Sequence, residues 1–164
     1  MILLIDGRSG SGKTELANLI VAGGLASLLR LDDIYPGWDG LAAASAQLPV
    51  ILQTGRWQRY DWATSALAEW HEVGDGHLVV EGCGALTRAS TKLADLAIWV
   101  EHPAASRKAR ALRREPDFAD HWQSWALQED AHIARERPLT LADEVVDGAD
   151  VSIGLDRWRG MLGS

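Results

Sequence analysis

Along the chain, short unbroken apolar runs alternate with stretches whose apolar residues recur at helical spacing. Ile2-Leu3-Leu4-Ile5 stops at a glycine-rich turn, the pattern of a strand buried on both faces. Residues 15–26 then show helical spacing through Leu16, Leu19 and Ile20, with Gly23 and Gly24 as a frayed end. Leu28 to Leu31 is a second short strand ending at Asp32-Asp33. Residues 35–58, rich in Pro, Gly and Ala, predict a loop holding one short Ala-rich helix. Asp61 is placed to cap a helix reaching Val73, with Gly74 as its stop. Leu78-Val79-Val80 and Leu96 to Val100 predict a third and a fourth strand. Pro103 suits the first residue of a helix through Glu115, and a further helix is expected over 120–137, before Pro138. Glu144-Val145-Val146 is a fifth strand, and 160–164 a loose tail. Strands alternating with helices predict an α/β fold with a parallel sheet.

The whole chain has 164 residues, enough for one domain spanning 1–164 with a core that needs no staples. A single cysteine, Cys83, rules out a disulfide framework and a thiolate metal cluster. The five histidines show no metal-ligand spacing, so no structural metal is expected. No apolar run is long enough for a membrane span, and the start lacks the features of a signal peptide. A cytoplasmic protein with no membrane partner is the expectation. The net charge of −7 argues against a nucleic-acid binder, although positive charge concentrated locally can still receive an anion.

That concentration begins at Gly7-Arg8-Ser9-Gly10-Ser11-Gly12-Lys13-Thr14, which fits GxxxxGK[ST] at every fixed position. Glycines at 7, 10 and 12 let main-chain N–H groups of the loop, those of Ser9 and Ser11 included, turn around phosphate oxygens. The following helix adds its positive end. Lys13 supplies a charge to the β- and γ-phosphates, and the Thr14 hydroxyl suits Mg²⁺. The motif follows a strand and opens a helix, as a nucleoside triphosphate site requires. A base-reading NKxD of the GTPase kind is absent, and the chain leaves little room for the coupling domains of a motor.

Asp32 and Asp33 stand where the second strand ends, and in open α/β sheets ligands gather at such ends. A carboxylate there can accept a proton from an attacking hydroxyl, or it can cap a turn. Glu81 closes an apolar strand and precedes Gly82, a position near the phosphates from which it can orient Mg²⁺ or an acceptor. In Arg107-Lys108-Ala109-Arg110-Ala111-Leu112-Arg113-Arg114, five of eight residues are basic. Arg107, Arg110 and Arg114 share a helix face, either as a solvated surface or as a lid over a transferring phosphoryl group. Arg59-Tyr60-Asp61-Trp62 is a candidate acceptor lining, with core packing as the alternative. Trp122 and Trp125 read as core, Cys83 as a small buried thiol, and the loop after the last strand (142–150) as a main-chain cradle for adenine.

Together these segments resemble the uridine kinase branch of the P-loop small-molecule kinases. In that branch a DSFY-like motif follows strand two, and its first Asp is the catalytic base; Asp32 takes that place and Tyr35 matches the Tyr. Val80-Glu81-Gly82 matches the strand whose Glu lies by acceptor and metal. Arg107, Arg110 and Arg114, with Glu115 in place of Asp, match the lid. The resemblance covers residues 1–35 and 76–115. It implies a three-layer P-loop NTPase fold: a five-stranded parallel sheet flanked by helices, with a helical, Arg-rich lid at 107–120. It also implies Mg-ATP as donor and a small-molecule acceptor, a nucleoside first, with Lys13, Asp32, Glu81, Arg110 and Arg114 catalytic. Asp33 and Tyr35 are expected at the acceptor, joined by Arg59 and Tyr60 from the reading of 59–62, a segment that does not match the family's nucleoside-binding segments. A sugar, sugar acid or antibiotic hydroxyl is the alternative acceptor, and a non-catalytic nucleotide sensor the alternative function.

Overall fold

A computed structural model describes residues 1–163. Five strands form a parallel sheet in the order β2-β5-β1-β6-β7: β1 (Ile2–Asp6), β2 (Ser27–Arg30), β5 (Leu78–Glu81), β6 (Leu96–Glu101) and β7 (Glu144–Asp147). The three most apolar of these strands, β1, β5 and β6, sit in the middle, where both faces are covered. The register aligns Arg30, Glu81 and Ile5 across β2, β5 and β1, so these strands end together at one edge.

Helices cover both faces. On one side α1 (Lys13–Val21) and α6 (Leu155–Leu162) enclose Leu3, Ile5, Leu16, Ile20, Val79, Ile98 and Trp158. On the other, α2 (Leu41–Thr54) and α4 (Trp122–Glu136) pack on Leu4, Leu29, Val80 and Ala97. α3 (Ala104–Arg114) runs into a 3₁₀ turn (Pro116–Asp120) at the sheet's carboxyl edge, and α5 (Pro138–Leu141) leads to β7. No helix of the described residues is long and apolar enough to cross a membrane.

Four expectations are corrected. The helix over 61–73 is instead an antiparallel hairpin of β3 (Arg56–Asp61) and β4 (Ala66–Glu72). Its residues are matched across strands rather than along a helix: Arg59 grips Glu69 through two hydrogen bonds of 2.6 and 3.1 Å. Trp57 stacks on His71 at 4.5 Å. Asp61 does not cap a helix; its carboxylate accepts the Ala63 N–H at 3.0 Å and starts the turn. Within 35–58, the helix is not short. α2 has 14 residues, burying Leu41, Ala44, Ser45, Leu48 and Ile51 and accommodating Pro49.

α1 ends at Val21, earlier than the spacing predicts, because Gly23 and Gly24 take left-handed backbone at φ 92° and 77°. Residues 160–162 are no tail but the last turn of α6, held by buried Trp158 and Leu162 one helical turn apart. Ser164 lies outside the described residues. Arg159 adds a 2.9 Å bond to the Ala22 carbonyl. Removing the Trp158 side chain, 1% exposed, leaves a large void between α1 and the sheet. Trp158→Ala is expected to lower unfolding free energy by roughly 3–5 kcal/mol in a denaturant titration.

Candidate active site

The loop between β1 and α1 wraps a cavity of about 1220 Å³ at the carboxyl edge of the sheet. Its shape depends on missing side chains. At Gly10, with φ 79°, a Cβ would stand 2.1 Å from the Arg107 carbonyl oxygen, so loop and α3 touch backbone to backbone. Gly12, at φ 113°, caps α1 in a left-handed conformation. The loop 148–151 closes against it, with Gly148 packed on the Ser11 carbonyl.

Two buried carboxylates hold the loop from below. Asp6, 1% exposed, accepts the N–H groups of Gly7 at 2.7 Å, Gly84 at 3.0 Å and Leu86 at 2.8 Å. Glu129 of α4, also buried, accepts the Ser9 N–H at 2.7 Å and Arg8 Nε at 3.0 Å. Arg107 braces the far side, donating to the His102 and Ser9 carbonyls at 3.0 and 3.3 Å.

Inside the loop, Lys13 Nζ donates to the Arg8 carbonyl at 3.1 Å. Burial works against its charge, but Cys83, Glu81, Glu129 and Asp6 outweigh that and hold its pKa above the usual value. The Thr14 hydroxyl donates to Glu81 Oε1 at 3.0 Å. Burial and Asp32 push the Glu81 pKa up, against Lys13, Thr14 and Arg30. Thr14 and Glu81 are hard oxygen donors beside a loop built for phosphate. That donor set fits Mg²⁺ shared with a nucleotide. The described residues contain no cluster of three or more His, Cys, Asp or Glu that would hold a metal alone, so the phosphates would have to supply part of the shell.

Asp32 and Asp33 form a 3₁₀ turn after β2 and line the same cavity. Burial and neighbouring Asp32 raise the Asp33 pKa. Tyr35 lines it too, its hydroxyl donating to the Cys83 carbonyl at 2.7 Å. Of the predicted residues, Ser9, Gly10, Gly12, Lys13, Thr14, Asp32, Asp33, Tyr35, Glu81, Arg110 and Arg114 meet at this cavity. Gly7 and Ser11 do not line it. A Cβ at Gly7 would stand 2.4 Å from the Val100 carbonyl, and the Ser11 hydroxyl is buried without a hydrogen-bond partner. The hairpin contributes Trp62, whose Nε1 donates to the Asp32 carbonyl at 2.9 Å. Arg59, committed to Glu69, and Tyr60, packed edge-on to Trp62 at 5.5 Å, stay outside the lining.

Sequence reasoning named Tyr35 and, within 59–62, Trp62, and missed the rest of the aromatic wall. Trp38, Trp62, Phe118 and Trp125 line the cavity with Tyr35. Trp38 stacks with His121 at 4.1 Å and Phe118 at 5.4 Å, and meets Trp62 edge-on at 5.0 Å. Gln128 of α4 fixes this wall by donating to the Trp38 carbonyl at 2.7 Å. The signal was a density of tryptophan in three separated segments. Glu129 gave none, being one carboxylate among several on α4.

The sheet order, its flanking helices and the loop after β1 make an α/β P-loop fold, which solved structures of small-molecule kinases share. Among solved structures, the chain is similar to a possible uridine kinase from Bacillus stearothermophilus. Identity is 21% and the TM-score 0.59, over 90% of this chain and 88% of that one. It is also similar to shikimate kinase from Acinetobacter baumannii in complex with shikimate (14%, TM-score 0.54, 98% and 90% covered). A gluconokinase from Sinorhizobium meliloti 1021 is a third (17%, TM-score 0.53, 98% and 90% covered). No protein-family model matches the sequence, and no curated protein does.

Burial pushes the Cys83 thiol up to about 12, with Lys13 opposing. The folded protein at pH 8 is therefore expected to resist iodoacetamide, and to label at its single cysteine only after denaturation. Mass spectrometry of the two reactions checks this.

Proposed function

We propose that the protein transfers the γ-phosphoryl group of Mg-ATP to a hydroxyl of a small molecule. The observation that carries this reading is the gathering of Lys13, Thr14, Glu81 and Asp32 around one cavity, with Thr14 and Glu81 already hydrogen-bonded. Loop amides and the amino end of α1 would receive the β- and γ-phosphates. Lys13 would leave the Arg8 carbonyl for the γ-phosphate. Thr14 and Glu81 would hold Mg²⁺, which neutralises phosphate charge when bound.

Asp32 accepts the proton of the acceptor hydroxyl as that oxygen bonds to the γ-phosphorus. The bond to the bridging oxygen breaks, and ADP leaves with the electron pair. Arg110 and Arg114, on the helix that abuts the loop, stabilise the charge on the transferring group, and the 148–151 loop borders the nucleotide. The aromatic wall keeps water from competing. A nucleoside is the acceptor class the sequence resemblance implies; sugars, sugar acids and hydroxylated antibiotics complete the panel.

ADP release from Mg-ATP against that panel is the direct test. Stimulation by one class supports the kinase, whereas tight ATP binding without any stimulation points to a nucleotide sensor. With a stimulating acceptor in hand, Asp32→Asn is expected to lower kcat by roughly 10²- to 10⁴-fold while still binding ATP. A variant at full rate removes Asp32 as the base and leaves Asp33.

A further inference from the structure

We propose that the acceptor is a ring-bearing amino alcohol, positively charged at neutral pH, and that anionic acceptors such as sugar acids are rejected. The inference rests on the phosphotransfer reading only in deciding which end of the cavity takes the acceptor.

The lining is uneven in charge: Glu15 and Glu81 stand beside the phosphate loop, but every cation comes from two elements. Its cations are Lys13, Arg110, Arg113 and Arg114, all from the phosphate loop and α3. Contact places the start of α3 on the donor side: the Arg107 carbonyl abuts Gly10, and Arg110 Nη1 donates to the Gly148 carbonyl at 2.7 Å. Arg113 and Arg114 end the same helix, next to the lid turn. The turn after β2, the hairpin tip and the lid turn after α3 contribute no cation. They supply Asp32, Asp33, Glu115 and Asp117 with the rings of Tyr35, Trp38, Trp62 and Phe118. The two arginines nearest this side are engaged elsewhere. Arg30 bonds the Asn18 side chain at 2.8 Å and approaches Glu81 at 3.8 Å; Arg59 is gripped by Glu69. Neither lines the cavity.

The positive charges acting on Asp33, from Arg30, Arg59 and His71, belong to side chains outside the lining. A carboxylated acceptor would therefore meet Asp32, Asp33 and Asp117 in the lining on this side, beside a nucleotide that is itself an anion. Rejection of that kind is how a site discriminates between ligands of similar shape. An amine finds the reverse: Asp33 and Asp117 as counter-charges, and tryptophan and phenylalanine surfaces that attract cations and cover the body of a ring. The solved structures similar to this chain include a shikimate complex and a gluconokinase, so the inference sets this cavity apart from acceptors of that charge.

Two matched probe sets separate charge from shape. One keeps a phenyl ring beside a secondary alcohol: 2-amino-1-phenylethanol, 1-phenylethane-1,2-diol and mandelate. The other keeps a hexose: glucosamine, glucose and glucuronate. Quenching of tryptophan fluorescence reads binding in the presence of Mg-ADP, and ADP release from Mg-ATP reads turnover. In at least one set the amine is expected to bind about tenfold more tightly than its neutral counterpart, with the anion weakest. The set that responds tells an aromatic ring from a sugar ring. Asp33→Asn should reduce that preference to about twofold or less, with Asp117→Asn as a second variant on the lid turn. Equal affinity across the charges, tighter binding of an anion, or no quenching by either amine overturns the inference. Amine binding in the expected order without ADP release defeats the kinase reading alone. Faster turnover of the neutral or anionic probe defeats the charge inference alone.

Discussion

A single buried carboxylate organises this molecule. Asp6 ends the central strand almost fully buried, and three main-chain N–H groups donate to its oxygens. A charge removed from solvent is tolerated only when so fully bonded. The arrangement dictates where the neighbouring chain must run: the start of the phosphate loop and the segment after β5 are drawn to the same two oxygens. Thr14 and Glu81, 67 residues apart, come within hydrogen-bonding distance as a result. The rest of the donor side is built outward from this point, with Glu129 and Arg107 fixing the part of the loop that Asp6 does not reach.

The two sides of the cavity are held by different physics. Around the loop the contacts are charge-assisted and directional, and the backbones approach so closely that Gly10 and Gly148 admit no Cβ. Around the aromatic side the contacts are between rings, at centroid distances of 4.1 to 5.4 Å. Directional bonds fix the main-chain N–H groups of a loop shaped for an anion, while packed rings enclose volume and leave its contents to shape and charge. The cavity thus joins a rigid donor frame to a side whose chemistry is written in a few exchangeable side chains.

What was legible in the sequence follows the same division. Strands β1, β5 and β6 announce themselves because both faces are buried, so no polar residue interrupts them. The phosphate loop is legible because its spacing is the chemistry. The hairpin was hidden: its order comes from partners such as Arg59 and Glu69 on opposite strands, and Leu67 and Trp70 are exposed rather than periodic. α2 was obscured by Pro49, which the helix contains without ending. Trp38, Trp62 and Phe118 converge from three segments, and no local spacing encodes a meeting of that kind. Glu129 likewise acts through a contact 120 residues away.

The bond from the Trp62 indole to the Asp32 carbonyl carries a consequence for how such a protein diversifies. The hairpin's pairing is internal, strand to strand, and this one indole reaches from its tip to the turn that holds Asp32. The ribbon is also anchored by Trp57 against the core and by Trp62 edge-on to Trp38, and around those anchors it can be lengthened, shortened or rewritten while the buried charges that keep the phosphate loop in shape stay in place. Heritable change in what the molecule accepts then has a separate address from what it must preserve.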